Sequence, residues 1–142
     1  MIGVSRSQDN KVHFGSLGFD GVRWAMKKEH IDDCYISDPI STFKYLPKTG
    51  KFLLASEKSE IQLFDVKTRK ALTNPMEFGI LSIVDAKTTE DEQFIFFAHS
   101  SGSVNMHYIG DNSFTFVTSL QGEFSDACFQ KIEVFSKVTK LP

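Results

Sequence analysis

The sequence predicts an all-β chain made of repeated four-stranded antiparallel units, and three observations predict it. Short segments alternate apolar with polar residues, which is the period of a strand with two different faces. Denser apolar runs stand ahead of two of those segments, as in strands buried on both faces. The arrangement then recurs about 43 residues later, a spacing typical of structural repeats. Composition agrees. Fourteen phenylalanines in 142 residues suit a pleated surface, which gives flat side chains neighbours on both sides.

Taken in order, a first strand is expected around Val12–Phe14. Phe19-Asp20-Gly21 is a hairpin-type turn. Beyond it Val22, Trp24 and Met26 alternate with Arg23 and Ala25. The stretch from Arg23 to Ile31 also carries the best helix signal, though its apolar positions fit a strand as well. Leu46-Pro47-Lys48-Thr49-Gly50 is a turn: proline sits early, where a fixed φ helps, and glycine late, where a positive φ is often needed. Phe52-Leu53-Leu54-Ala55 reads as a doubly buried strand, and Ile61 and Leu63 alternate with Gln62 and Phe64 after it. The same order returns in Phe94-Ile95-Phe96-Phe97-Ala98, the turn Ser100-Ser101-Gly102, and Val104, Met106 and Tyr108 alternating with Asn105 and His107. Ile109 to Ser113 form the next turn and Phe114 to Thr118 a further strand. Strands are also expected at Cys128-Phe129 or Ile132–Phe135.

Placing Ala55 over Ala98 puts Ile40 on Ile83, Ile61 on Val104, Leu63 on Met106 and Gly79 on Gly122. An earlier unit fits with a small deletion, Val22 standing about 39 residues before Ile61. A period of about 40–45 residues carrying four strands is that of a β-propeller blade. The expected units are 1–36, 37–79 and 80–122, with the start of a further unit at 123–142. A closed propeller needs roughly four to eight blades, so about three make an incomplete one. Its open sheet faces and unpaired edges invite association, which predicts self-association. A closed β-barrel holding a small ligand in an apolar pocket is the rival fold.

Ser56-Glu57-Lys58-Ser59-Glu60-Ile61-Gln62-Leu63-Phe64-Asp65 resembles the WD-repeat family, whose pattern is Ser-x-Asp-Gly-x-Ile-x-Leu-Trp-Asp. Phe64-Asp65 stands for the Trp-Asp pair. Phe19 to Trp24 resembles the same region one unit earlier, and His99 to Tyr108 one unit later. Leu120-Gln121-Gly122-Glu123 resembles the start of a next unit with Glu in place of His. The resemblance spans residues 12 to 129. The family's blades often share a hydrogen-bonded set of His, Ser or Thr, Asp and Trp, and the chain departs from it. The turn Asp is Lys58 in one unit and Ser101 in the next, only Asp20 keeping it. The His is missing at Gly79-Ile80 and Gly122-Glu123. Aromatic packing is expected to substitute for this polar staple. The resemblance implies a non-catalytic protein–protein interaction scaffold within a multi-protein assembly. Part of a propeller enzyme or sensor, its site completed on other blades, is the alternative.

Chemistry-bearing residues are sparse. His13, His30, His99 and His107 lack metal-ligand spacing, although His99 and His107 flank one hairpin and could face each other. Glu29, Asp32 and Asp33 near His30, and Glu90-Asp91-Glu92, read as solvated loop carboxylates rather than a pair opposed across a pocket. Lys67, Arg69 and Lys70 read as a solvated turn. Ser100 to Ser103 lacks the lysine of a phosphate-binding loop. No catalytic, metal or cofactor-binding residue is therefore assigned, and no cofactor is expected. The loops around Lys48-Thr49, Thr89 to Glu92 and Gly110 to Asn112 are the candidate contacts for other proteins.

Net charge of −2 with scattered basic residues argues against nucleic acid. No apolar run reaches the ~20 residues that span a bilayer, and MIGVSRSQDN lacks the form of a secretory signal. A cytoplasmic protein is expected, the nucleus remaining open to it, with Cys34 and Cys128 as reduced thiols.

Overall fold

The structure is a computed structural model describing residues 2–6, 12–77 and 83–121. The expectations placed on Gly79-Ile80, Gly122-Glu123, Cys128-Phe129, Ile132–Phe135 and the unit beginning at 123 lie outside the described residues. All pairings are antiparallel, and the strands form three separate sheets. Sheet 1 contains β1 (Ile2–Arg6), β2 (Val12–Phe19) and β3 (Trp24–Ile31) in that order. Sheet 2 runs β4 (Ile40–Leu46), β5 (Lys51–Ser56), β6 (Glu60–Asp65) and β7 (Met76–Glu77). Sheet 3 runs β8 (Ile83–Thr88), β9 (Phe94–His99), β10 (Ser103–Ile109) and β11 (Phe114–Gln121). No strand is shared between sheets, so the rival closed barrel is not the fold. The Arg23–Ile31 stretch is strand β3 rather than helix.

The turns form for local reasons. Asp20 Oδ1 accepts hydrogen bonds from the backbone N–H groups of Val22 and Arg23, both at 2.9 Å. Gly21 beside it takes φ 96°, in the half of conformational space that glycine enters without steric cost. Ser56 Oγ accepts from Lys58 N at 3.2 Å and Glu60 N at 3.1 Å, closing the β5–β6 turn. Asp65 Oδ2 accepts from Thr68 N at 2.7 Å and Thr68 Oγ1 at 2.9 Å, closing the turn after β6. The residues that carry the WD-like pattern are thus turn builders.

The sheets are stacked face to face, with the first strands of neighbouring sheets side by side: β1 next to β4, and β4 next to β8. Alternation along the strands of sheet 2 sends side chains into two cores. Leu53, Ala55, Ile61 and Leu63 meet Ile83, Ile95, Phe97 and Phe114 of sheet 3. Phe52, Leu54 and Phe64 meet Val12, Phe14 and Ile31 of sheet 1. Full burial of each such side chain contributes about 1.5–3 kcal/mol. Rings dominate the second core: Phe52 stacks on Phe64 at 4.9 Å and lies 5.2 Å from Phe14 and 5.9 Å from Phe43. The expected aromatic substitute for the polar staple is therefore present, with an addition. Gln62 is wholly buried and not the solvent-facing member of an alternating strand. Its amide donates to Asp33 O at 3.0 Å and Thr73 O at 3.1 Å, and its oxygen accepts from Tyr35 N at 3.1 Å. This fastens the 32–39 connection to β6.

Candidate interaction face

The registers put four turns at one end of the stack. Leu46 pairs with Lys51 and Lys51 with Asp65, so the turns at 47–50 and 66–70 share an end of sheet 2. Tyr108 pairs with Phe94 and Ile109 with Phe114, so the turns at 89–93 and 110–113 share an end of sheet 3. Hydrogen bonds then join them. Val66 N donates to Gly50 O at 2.9 Å, and Ile109 N donates to Gln93 O at 2.7 Å.

Between the two sheets, Glu92 is the central tie. It is buried, with φ 59°, and its Oε1 accepts from Thr49 N at 2.8 Å and Thr49 Oγ1 at 3.3 Å. Lys51, also nearly buried, donates its ammonium to Gly110 O at 2.7 Å and lies 3.9 Å from Asp111. A charged group hydrogen-bonded in this way holds its partners more firmly than a neutral one. Asp91 Oδ1 accepts from Thr89 Oγ1 at 2.6 Å and Gln93 N at 3.1 Å. The Thr89 hydroxyl first, and then the Gln93 N–H, lower its pKa below the ordinary aspartate value. Around these ties Lys48, Thr49, Glu90, Asp91, Gln93, Asp111 and Asn112 are exposed. The three loops marked out by sequence are thereby brought together, while Glu92 proves to be structural rather than solvated.

The second acidic cluster is also partly structural. Glu29 Oε2 lies 2.9 Å from Arg69 Nε and its Oε1 lies 3.2 Å from Lys27 Nζ. Asp33 Oδ2 accepts from Ala71 N at 2.7 Å. Arg69, expected in a solvated turn, lies over the Phe14 ring at 5.3 Å and is half-buried. It links sheet 1 to the turn at 66–70. Asp32, 3.3 Å from His30 Nε2, stays exposed. A shallow recess of about 270 Å³ between these groups is lined by His30, Asp32, Thr68 and Lys70 among others.

The histidines do not converge. His30 Nδ1 donates to Val12 O at 3.1 Å and its ring lies 5.5 Å from that of His13. Asn105 Nδ2 donates to His99 Nε2 at 3.0 Å. His107 lies opposite Ile95, not His99, and stacks on Phe114 at 4.8 Å. Burial, and then the nearby His99, push the His107 pKa down to about 4, which keeps the ring neutral near pH 7. Among the described residues no three His, Cys, Asp or Glu side chains come together as a metal-holding group. Cys34 is half-buried against the core between sheets 1 and 2, and Cys128 lies outside the described residues. Among the described residues no helix is long and apolar enough to cross a membrane.

No family model and no curated protein sequence matches the chain. Among solved structures, the crystal structure of the C-terminal WD40 domain of Sif2 superposes with a TM-score of 0.59 at 15% identity over 92% of this chain. The fold is that of a WD40-type propeller, in part. The chain spans 39% of the length of the Sif2 domain chain. The WD40-type geometry explains why the turn-building positions Ser56, Asp65 and Asp20 carry the family-like residues while the ring positions diverge. Turn closure constrains residue type, whereas the faces between sheets require only apolar volume.

Proposed function

We propose that the chain is a non-catalytic protein–protein interaction module of a multi-protein assembly, docking other proteins on the face formed by the turns at 47–50, 89–93 and 110–113. Its repeat units are 1–36, 37–79 and 80–122, with a further one beginning at 123. The buried Glu92 carboxylate carries the proposal, because it bonds a turn of sheet 2 from within a turn of sheet 3. Loops pinned in this way lose little conformational freedom on binding, which lowers the cost of association. The exposed groups around the tie include both signs of charge, Lys48 beside Glu90 and Asp111 near Lys51. They suit a partner with a mixed polar surface. The ionised state of Asp91 fits a hydrogen-bond acceptor rather than a proton donor. The likeness in fold to the WD40 domain of Sif2 supports the module reading by analogy.

The test compares proteins retained by the immobilised chain with those retained by a Lys48→Glu, Glu90→Lys, Asn112→Arg variant. These three side chains are exposed, so circular dichroism should be unchanged. Loss of specific retained proteins is the expected result. Undiminished retention of the same proteins would remove this face from consideration.

A further inference from the structure

Sheet 1 has three strands where sheets 2 and 3 have four. In sheet 3 the outer strand β11 lies along seven residues of β10. In sheet 2, β7 and the Phe64–Ala71 bridge lie along β6. β3 stands third in its sheet, as β6 and β10 do, and among the described residues no strand pairs with its outer edge. A bare edge is a row of unmet N–H and C=O groups, which templates a further strand. Proline and bulges commonly blunt such an edge. β3 contains no proline, and its register with β2 runs through eight pairs without a shift, whereas the registers of β4, β8 and β10 shift part-way.

The side chains along β3 define what fits. Every residue from Trp24 to Lys28 is exposed, so an added strand finds room on both faces of the sheet. By alternation Trp24, Met26 and Lys28 share one face, and Ala25 and Lys27 the other. On the first face the Phe19 and Trp24 rings lie 5.4 Å apart, beside the cross-strand pair Leu17 and Met26. On the second a shallow recess of about 300 Å³ is lined by Ser16, Gly18, Phe19, Asp20, Ala25 and Lys27. Gly18 keeps it open, since a Cβ there would meet nothing within 4 Å. An antiparallel partner strand runs past Lys28 and Lys27 first, then Met26, Ala25 and Trp24. Lys28 calls for a carboxylate. Lys27, already 3.2 Å from Glu29, calls only for a polar group. The other three positions call for apolar side chains, the one opposite Ala25 large enough to fill the recess. A second copy of β3 would instead bring two more lysines to the same edge, which like-charge repulsion opposes.

We propose that the β3 edge from Trp24 to Lys28 takes up an extended segment of another protein as the fourth strand of sheet 1, with a carboxylate opposite Lys28 and apolar side chains opposite Met26, Ala25 and Trp24. In this mode main-chain hydrogen bonds supply the affinity, and pockets for alternate side chains supply the choice of partner. The interaction face lies on turns of sheets 2 and 3, so strand capture on sheet 1 stands or falls separately from the docking proposed there.

Trp24 is the only tryptophan of the chain, so its emission reports on this edge directly. The probe is the peptide Gly-Ser-Glu-Thr-Val-Phe-Val-Ser-Gly, titrated into the purified chain, together with two versions N-methylated on alternate residues. The expected result is a saturable blue shift of the emission with the unmodified peptide. One N-methylated version should keep the shift and the other lose it, because in an antiparallel ladder only alternate residues turn their N–H groups to the neighbouring strand. Lys28→Glu should weaken binding by roughly 3-fold or more, since a repulsion replaces an exposed ion pair. Gly18→Leu, which fills the recess, should weaken it at least ~10-fold, as the loss of an anchor pocket does. Both positions are exposed, and circular dichroism monitors the fold. No shift with the unmodified peptide overturns the proposal, as do equal responses to the two N-methylated versions. Hydrogen exchange of the free chain adds a third way to overturn it: slow exchange at every amide from Trp24 to Lys28 would mean that the chain itself already covers this edge.

Discussion

Strands β3 and β6 hold the same place in their sheets, third from the side where neighbouring sheets adjoin, yet their surroundings are opposite. In β6 every residue from Glu60 to Phe64 is buried, whereas in β3 every residue from Trp24 to Lys28 is exposed. Hydropathy does not explain this, since β3 offers Trp24 and Met26 to solvent while β6 buries Glu60 and Gln62. The difference lies in what flanks each strand. Sheet 2 is covered on both faces, whereas the Trp24–Lys28 stretch of sheet 1 is exposed on both, Ala25 and Lys27 on the sheet 2 side included. In a stacked architecture of this kind burial is set by neighbouring repeats more than by a strand's own composition.

The largest effect should come from cutting a ring out of the covered sheet. Phe52 contacts Phe14, Phe43 and Phe64 and is fully buried. Phe52→Ala leaves a cavity in the core between sheets 1 and 2 and should cost about 3–5 kcal/mol. Trp24→Ala removes a larger side chain from the open face and should change the unfolding free energy of the dilute chain by less than ~1 kcal/mol. Urea titration of both variants checks the contrast. Equal losses would mean that the open face is packed against something in solution.

A smaller effect separates the two faces of sheet 3. His107 faces sheet 2 among Phe97, Phe114 and Phe116, and its pKa is lowered from 6.5 to about 4 by burial and by His99. The unfolded chain therefore binds a proton between these values that the folded chain does not. Stability is full above about pH 6.5 and falls as the pH drops toward 4, by a total on the order of 3 kcal/mol. His107→Phe keeps the ring stack and removes the titration, so it should flatten that part of the pH profile of urea midpoints.

Much of the fold could be read from the sequence because its causes are local. The turns at Asp20, Ser56 and Asp65 are closed by side chains two to four residues from the groups they bind, and alternation marks the strands between them. The ties that build the interaction face are not local. Glu92 reaches Thr49 and Lys51 reaches Gly110; at the opposite end of sheet 2, Glu60 likewise accepts from the distant N–H groups of Ser37 and Asp38 and from the Ser37 hydroxyl. A carboxylate in a run such as Glu90-Asp91-Glu92 carries no mark of which member turns inward. A signal did exist for Gln62, which stands among residues too apolar to leave one polar side chain in water. Asn105, at the equivalent position of the next unit, is likewise an amide and bonds His99.

The smallest predicted effect tests how far repeat equivalence extends to the backbone. Ser59 has φ 66° and is wholly buried, and the equivalent residue one unit later is Gly102, with φ 88°. A side chain in this left-handed region is strained, and glycine removes the strain. Glycine also makes the unfolded chain more flexible, which offsets part of the gain. Ser59→Gly should therefore change stability by less than ~1 kcal/mol, whereas Ser59→Val puts a β-branched residue where it is a true outlier and should cost about 1–3 kcal/mol. The turn N–H of Ser59 bonds Ser56 O at 3.1 Å in either case, so the pair isolates side-chain strain from hydrogen bonding. If valine were tolerated as well as glycine, the β5–β6 turn would have to adopt another backbone, and the matching of Ser59 to Gly102 would lose its physical basis.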